Sequence, residues 1–147
     1  MTITYYTKEG KFETLSDDDS VPYDKLHRTN GPAIISSNGD KAWLINGKQH
    51  RLDGPAIEWK DGTKHWLING THHRLNGPAI DHIDGTKKWY VKGKLHRLDG
   101  PAVIWFDEEE EYWINGIELN YIDYKQVIDN YDFNKKNDIL MFMLKFG

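Results

Sequence analysis

A chain of 147 residues is long enough for one domain, and 38% hydrophobic content with 13% aromatic residues supplies a modest core rich in large rings. A formal net charge of −4 leaves no excess of Lys and Arg to neutralise phosphates, which argues against general binding of nucleic acid or of an anionic membrane surface. With no cysteine there is neither a disulfide framework nor a thiolate zinc site, and no apolar run approaches the length that spans a bilayer; the expectation is a soluble, unsecreted, cytoplasmic protein.

The first segment, residues 1–24, opens with TITYYTKEGKFETL, which predicts strand, Glu-Gly turn and strand, a degenerate hairpin that caps the rest of the chain. The acidic run Asp17-Asp18-Asp19 then loops over to Pro22. Residues 25–118 are dominated by a period. The pair His-Arg stands at His27-Arg28, His50-Arg51, His73-Arg74 and His96-Arg97, each followed two residues later by Gly-Pro-Ala, and the interval is always 23 residues. A fixed period of this length marks a repeat architecture, in which one supersecondary unit pairs with copies of itself.

The four units read HRTNGPAIISSNGDKAWLINGKQ, HRLDGPAIEWKDGTKHWLINGTH, HRLNGPAIDHIDGTKKWYVKGKL and HRLDGPAVIWFDEEEEYWINGIE. Asn-Gly and Asp-Gly dipeptides punctuate them, and these tolerate the positive φ of tight hairpin turns. Between the turns lie short runs such as Trp43 to Ile45, Trp66 to Ile68, Trp89 to Val91 and Tyr112 to Ile114, whose aromatic and β-branched residues favour strands. The predicted unit is a strand ending in the Trp-x-Ile run, a two-residue turn, and a second strand that carries His-Arg and bends at Asp-Gly-Pro, where Pro32, Pro55, Pro78 and Pro101 lack a ladder donor. Joined hairpins make a mainly β fold, an elongated antiparallel meander. Alternation along the strands predicts a core stripe of Trp and Ile.

These glycine spacings, the aromatic-x-aliphatic strand before Asn-Gly and the 23-residue period resemble the MORN repeat, in its W-x-I-N-G-K-x-H-R-x-D-G-P-A variant, over residues 25–118. The usual MORN repeat has Gly where this chain has Arg28, Arg51, Arg74 and Arg97. The resemblance implies a twisted meander used for interaction or assembly, with no shared catalytic residues.

Past the last repeat the period fails, because Leu119-Asn120 stands where His-Arg is due. From there Tyr121, Ile122, Tyr124, Val127, Ile128 and Tyr131 fall near helical spacing with Asn120 as the N-cap, and Ile139 to Phe146 forms a second apolar segment. Residues 119–147 are therefore predicted as a short helical cap over the last open edge of the array. Met141, Phe142, Met143 and Phe146 are, on the same stretch, the candidate surface for a protein partner or for self-association.

Adjacent strand residues face opposite sides, so the His row and the Arg row part company. The structural reading has each imidazole bonded to a turn carbonyl and each guanidinium paired with an acid such as Asp53 or Asp99, or stacked on a Trp of the next hairpin. The ligand reading has Arg28, Arg51, Arg74 and Arg97 beside Trp43, Trp66 and Trp89 holding a phosphorylated or nucleotide-like small molecule. His65, His72, His73 and His82 crowd one region, but no cysteine or repeated carboxylate completes a usual ligand set, so no metal and no cofactor is assigned. The run Glu108 to Glu111 replaces the Gly-Thr-Lys-x turn of the second and third units.

No nucleophile elbow, phosphate-cradling loop or zinc-protease helix is present, and an enzyme is not expected. The first function class is a non-catalytic repeat scaffold for protein interaction or self-association. The second is a binder that sequesters a phosphorylated ligand. An Asn-, Lys-, Ile- and Asp-rich composition suggests an AT-rich genome and, by analogy, a viral or phage accessory protein acting on a host factor in the host cytoplasm.

Overall fold

The computed structural model describes residues 2–14 and 21–147, so the acidic run at Asp17 to Asp19 lies outside the described residues. The chain is mainly β, one antiparallel meander of hairpins closed by two helices. β1 (Ile3–Tyr6) and β2 (Lys11–Thr14) form the N-terminal hairpin, and β1 also pairs with β3 (Ile34–Ser36), leaving β2 at the sheet's outer edge.

Each unit then contributes two hairpins in succession. In the first unit β3 turns into β4 (Lys41–Ala42), the chain continues past Trp43 into β5 (Leu44–Ile45), and a tight turn returns it as β6 (Lys48–Gln49). The second unit repeats this with β7 (Ile57–Glu58), β8 (Lys64–His65), β9 (Leu67–Ile68) and β10 (Thr71–His72). The third has β11 (Ile80–Asp81), β12 (Lys87–Lys88), β13 (Tyr90–Val91) and β14 (Lys94–Leu95). In the fourth, β15 (Val103–Ile104) pairs with β16 (Glu110–Ile114), which runs unbroken through the position of Trp43 and pairs with β17 (Ile117–Leu119). The long sheet has eleven strands in the order β17-β16-β15-β12-β11-β8-β7-β4-β3-β1-β2, and β5–β6, β9–β10 and β13–β14 are two-stranded ribbons.

The break at Trp43 explains the arrangement. The Trp43 amide donates to the Ala56 carbonyl in the next unit, while its carbonyl accepts from the His50 amide within its own ribbon. Trp66 and Trp89 make the same two bonds, to Ala79 and His73 and to Ala102 and His96. Pairing therefore switches at each Trp from the long sheet to the ribbon. At the ribbon tips Asn46 and Gly47 have φ of 49° and 75°, and the pairs at 69–70, 92–93 and 115–116 match them. Positive φ at both central residues is the type I′ turn that suits the right-handed twist of flanking strands.

The predicted stripe of Trp and Ile is not the core. Burial falls instead on Ala33, Ala56, Ala79 and Ala102, with Leu44, Leu67, Val103 and Ile114, while Trp43, Trp66 and Trp89 are half-buried. Simple alternation fails because the strand changes partners at the Trp position, and the residue after it, Leu44 or Leu67, is the one turned inward. Small alanines at the Gly-Pro-Ala bend let neighbouring units approach closely.

At the C-terminal end Asn120 accepts from the Asp123 amide at 2.9 Å and caps α1 (Tyr121–Asn130), and α2 (Lys136–Phe146) comes next. Both pack against the last strands around Ile114, Leu119, Tyr124, Val127 and Phe142.

Candidate functional site: the arginine and histidine rows

Every arginine of the repeat lies over an aromatic ring. Arg51, Arg74 and Arg97 place the guanidinium carbon 4.1, 3.7 and 4.0 Å from the ring centroids of Trp43, Trp66 and Trp89. Arg28 does the same over Tyr6 at 3.8 Å. The Trp belongs to the arginine's own ribbon, not to the next hairpin, because β5 and β6 run side by side and bring residue 43 beside residue 51. Tyr6 occupies the Trp position in the N-terminal hairpin: its amide bonds the Ala33 carbonyl and its carbonyl accepts from His27, as Trp43 does with Ala56 and His50.

The same guanidinium closes the bend. Nη1 of Arg28, Arg51, Arg74 and Arg97 donates to the carbonyls of Pro32, Pro55, Pro78 and Pro101 at 3.0–3.2 Å. Nε donates to Asn30, Asp53 and Asp99 at 3.2, 2.9 and 2.8 Å. A Cβ on Gly54 would stand 2.8 Å from the Arg51 guanidinium carbon, so the glycine of each bend leaves the space in which the fork lies flat. A stacked, half-desolvated guanidinium of this kind contributes on the order of 1–2 kcal/mol.

The four units are not identical in charge. Arg51 pairs with Asp53 and with Glu58, and Arg97 pairs with Asp99, holding both Asp53 and Asp99 below the usual carboxylate range. Arg28 meets a neutral Asn30, and Arg74 has Asn76 at that place with no such bond among the described residues. Open grooves run along these bends. One of about 710 Å³ is lined by Arg28, Trp43, His50, Arg51 and Leu52, and a second of about 640 Å³ by Arg74, Trp89, His96, Arg97 and Leu98.

The histidines face the neighbouring unit. Nδ1 of His27, His50, His73 and His96 accepts from the backbone amides of Asn46, Asn69, Lys92 and Asn115 at 3.0–3.1 Å, each 19 residues further on. The partner is thus not the turn carbonyl that the sequence predicts but the amide that opens the type I′ turn. At His96, accepting at Nδ1 requires a neutral ring with its proton on Nε2, since a protonated imidazole has two donors and no acceptor; at His50 the Asn69 side-chain oxygen also lies 2.9 Å from Nδ1. Burial alone pulls His96 below the usual histidine value.

The cluster His65, His72, His73 and His82 does not converge. His65 Nδ1 and His72 Nε2 lie 3.3 Å apart, and burial is the main cause lowering both. His73 is taken by Lys92, and His82 pairs with Asp84 at 3.0 Å. Among the described residues no group of three or more His, Asp or Glu is placed to hold a metal ion.

The C-terminal candidates divide. Phe142 is fully buried, with ring centroids 5.3 and 5.4 Å from Phe133 and Phe146, and Phe146 is partly buried against the same cluster. Met141 and Met143 are exposed beside Leu140 and Leu144. Sequence reasoning missed Tyr6, and it found Tyr124 and Glu111 without their partners. Glu111 accepts from the indole nitrogens of Trp105 and Trp113 at 2.7 and 2.8 Å, and Tyr112 donates to Glu110 at 2.6 Å, which pushes the phenol up to about 12. The run of acids was legible; its indole partners were not, because they sit at either end of a turn whose path only the pairing of β15 with β16 sets.

No protein-family model, no curated protein and no solved structure matches this chain. Among the described residues no helix is long and apolar enough to cross a membrane.

Proposed function

We propose that this chain is a MORN-like, non-catalytic repeat scaffold that works by binding protein, another chain or its own. The observation that supports this reading is a division of labour within the unit. The repeated polar side chains, Arg over Trp and His against the next turn, use their bonding capacity to hold the array together, whereas a set of large apolar side chains stands in solvent among the exposed lysines and aspartates. Leu52 and Leu75, the residues after the second and third His-Arg pairs, are 79% and 74% exposed, and Trp59, Ile83 and Phe106 stand out from the opposite hairpin turns. Rows of exposed apolar side chains on a polar background are the usual mark of an association surface.

A second reading, sequestration of a phosphorylated small molecule, draws its support from Arg28 and Arg74, which among the described residues make no ion pair like those of Arg51 and Arg97 and which line two open grooves. Native mass spectrometry of the gently purified protein, with a denatured control, separates the two. Subunit assemblies or a co-purified polypeptide are expected for the scaffold. An added mass of a few hundred daltons per chain that is lost on denaturation would overturn it in favour of the ligand reading.

A further inference from the structure

The two edges of the long sheet are treated differently. At one end β17 runs directly into α1, and the two helices pack around Leu119. At the other end, among the described residues, β2 pairs with β1 alone, and its Lys11, Phe12 and Glu13 are all exposed.

The hydrogen-bond phase of β2 is set by its hairpin. The Thr7 amide donates to the Gly10 carbonyl at 2.9 Å, so Thr7/Gly10 is a bonded pair and Tyr6/Lys11 is not; Tyr5/Phe12 is bonded again and Thr4/Glu13 is not. The other side of β1 agrees, since Tyr6 turns its amide to Ala33 on the neighbouring strand. The main-chain N–H and C=O groups of Lys11 and Glu13 therefore point away from the sheet, toward the open edge.

We infer that two copies of this chain associate through β2, antiparallel and about a two-fold axis at Phe12. In that register Lys11 lies opposite Glu13 of the second copy and Glu13 opposite its Lys11, each a bonded pair exchanging two main-chain hydrogen bonds. Phe12 meets Phe12 at the intervening non-bonded position, where facing side chains come closest. Lys11 and Glu13 share one face of the strand, as their contact at 2.5 Å shows, so the same two side chains form two ion pairs across the axis. A lone lysine on an edge strand repels a second edge. Here the glutamate two residues on turns that repulsion into self-complementarity. Phe12, 47% exposed, adds an apolar contact at the centre. Because the helical end of the sheet is covered, pairing uses one edge per chain and closes at two subunits.

This inference rests on the scaffold reading and specifies one of its partners. The test is sedimentation velocity on the full chain over a series reaching millimolar concentration, with thermal unfolding to check each variant's fold. Wild type is expected to pass from monomer to dimer. Glu13→Lys and Lys11→Glu alone are each expected to weaken the dimer at least about ten-fold, because each sets two like-charged pairs across the axis. An equimolar mixture of the two single variants restores association as a heterodimer, and the double exchange Lys11→Glu/Glu13→Lys restores the homodimer. A wild-type monomer throughout, single variants that dimerise like wild type, or a mixture that stays monomeric would each overturn the pairing. A co-purifying polypeptide that Glu13→Lys leaves bound would overturn the edge pairing and leave the scaffold standing, whereas a monomer carrying a small ligand would remove both.

Discussion

The interior units and the C-terminal end solve one problem with different side chains. In the interior, a ring at position 43, 66 or 89 is covered by the guanidinium that comes after the ribbon turn. At the end the ring is Tyr112, the residue due to be arginine is Asn120, and the ring of Tyr124 from α1 sits 4.7 Å away instead. Its hydroxyl donates to the Gly100 carbonyl and accepts from the Gly100 amide, at 3.1 and 2.9 Å, adding a second clamp to the bend that Arg97 holds. In the place of the next histidine, Leu119 is buried under the helices. An arginine and a histidine keep the array extensible; a helix cap residue and a leucine stop it.

The sharpest way to break this contrast is to loosen the stop. Phe142→Ala removes the ring around which Tyr131, Phe133 and Phe146 gather, and it is expected to cost about 3–5 kcal/mol in chemical denaturation, with helical circular dichroism lost before the sheet signal. Next in size is an interior change: Gly54→Val puts a side chain where the Arg51 guanidinium lies, and a loss of about 1–3 kcal/mol is expected, accompanied by a change in Trp43 fluorescence as the stack opens.

Acid bears on both regions, since burial lowers His65 and His72 in the interior and His96 beside the C-terminal helices. The unfolded chain protonates His96 near pH ~6.5, while the folded chain resists because burial favours the neutral ring, so the unfolded state holds more protons in the window below that value. Stability is expected to be level above about pH 6.5 and to fall as pH drops toward the folded value. His96→Asn, which keeps an acceptor oxygen but cannot titrate, should flatten that fall in denaturation midpoints measured between neutral and mildly acidic pH; an unchanged slope would show that His96 carries none of it.

Two gains complete the series. Glu108 adopts φ of 67°, the left-handed region in which the equivalent Gly62 and Gly85 also sit with positive φ. Glu108→Gly is expected to stabilise by about 1 kcal/mol, since a non-glycine residue is strained there. Asn76→Asp gives Arg74 the partner that Arg51 and Arg97 have, and the melting temperature should rise by less than for any change above, with the gain abolished by salt.

Much of this architecture can be read from the residues. The Asn-Gly turns, the bend at Pro and the helices after Asn120 come from local chemistry, which the sequence displays directly, whereas the strand expected to carry His-Arg stops one residue short of it, at Gln49, His72 and Leu95. The core could not be read the same way, because whether Trp43 or Leu44 turns inward depends on a change of strand partner that no alternation rule contains. The arginine row was legible as a row, but its ring partner lay in its own ribbon. Tyr6 escaped because the excursion between it and His27 hides the spacing that Trp43 and His50 keep.

Each histidine clasp reaches the amide 19 residues ahead, and every such link spans less than one 23-residue period. A gain or loss of one whole period therefore leaves a chain in which every clasp still finds its turn, whereas a slip of one residue breaks the clasp that spans it and leaves those downstream intact. The step in which this fold could lengthen or shorten without loss of a clasp is one period of 23 residues.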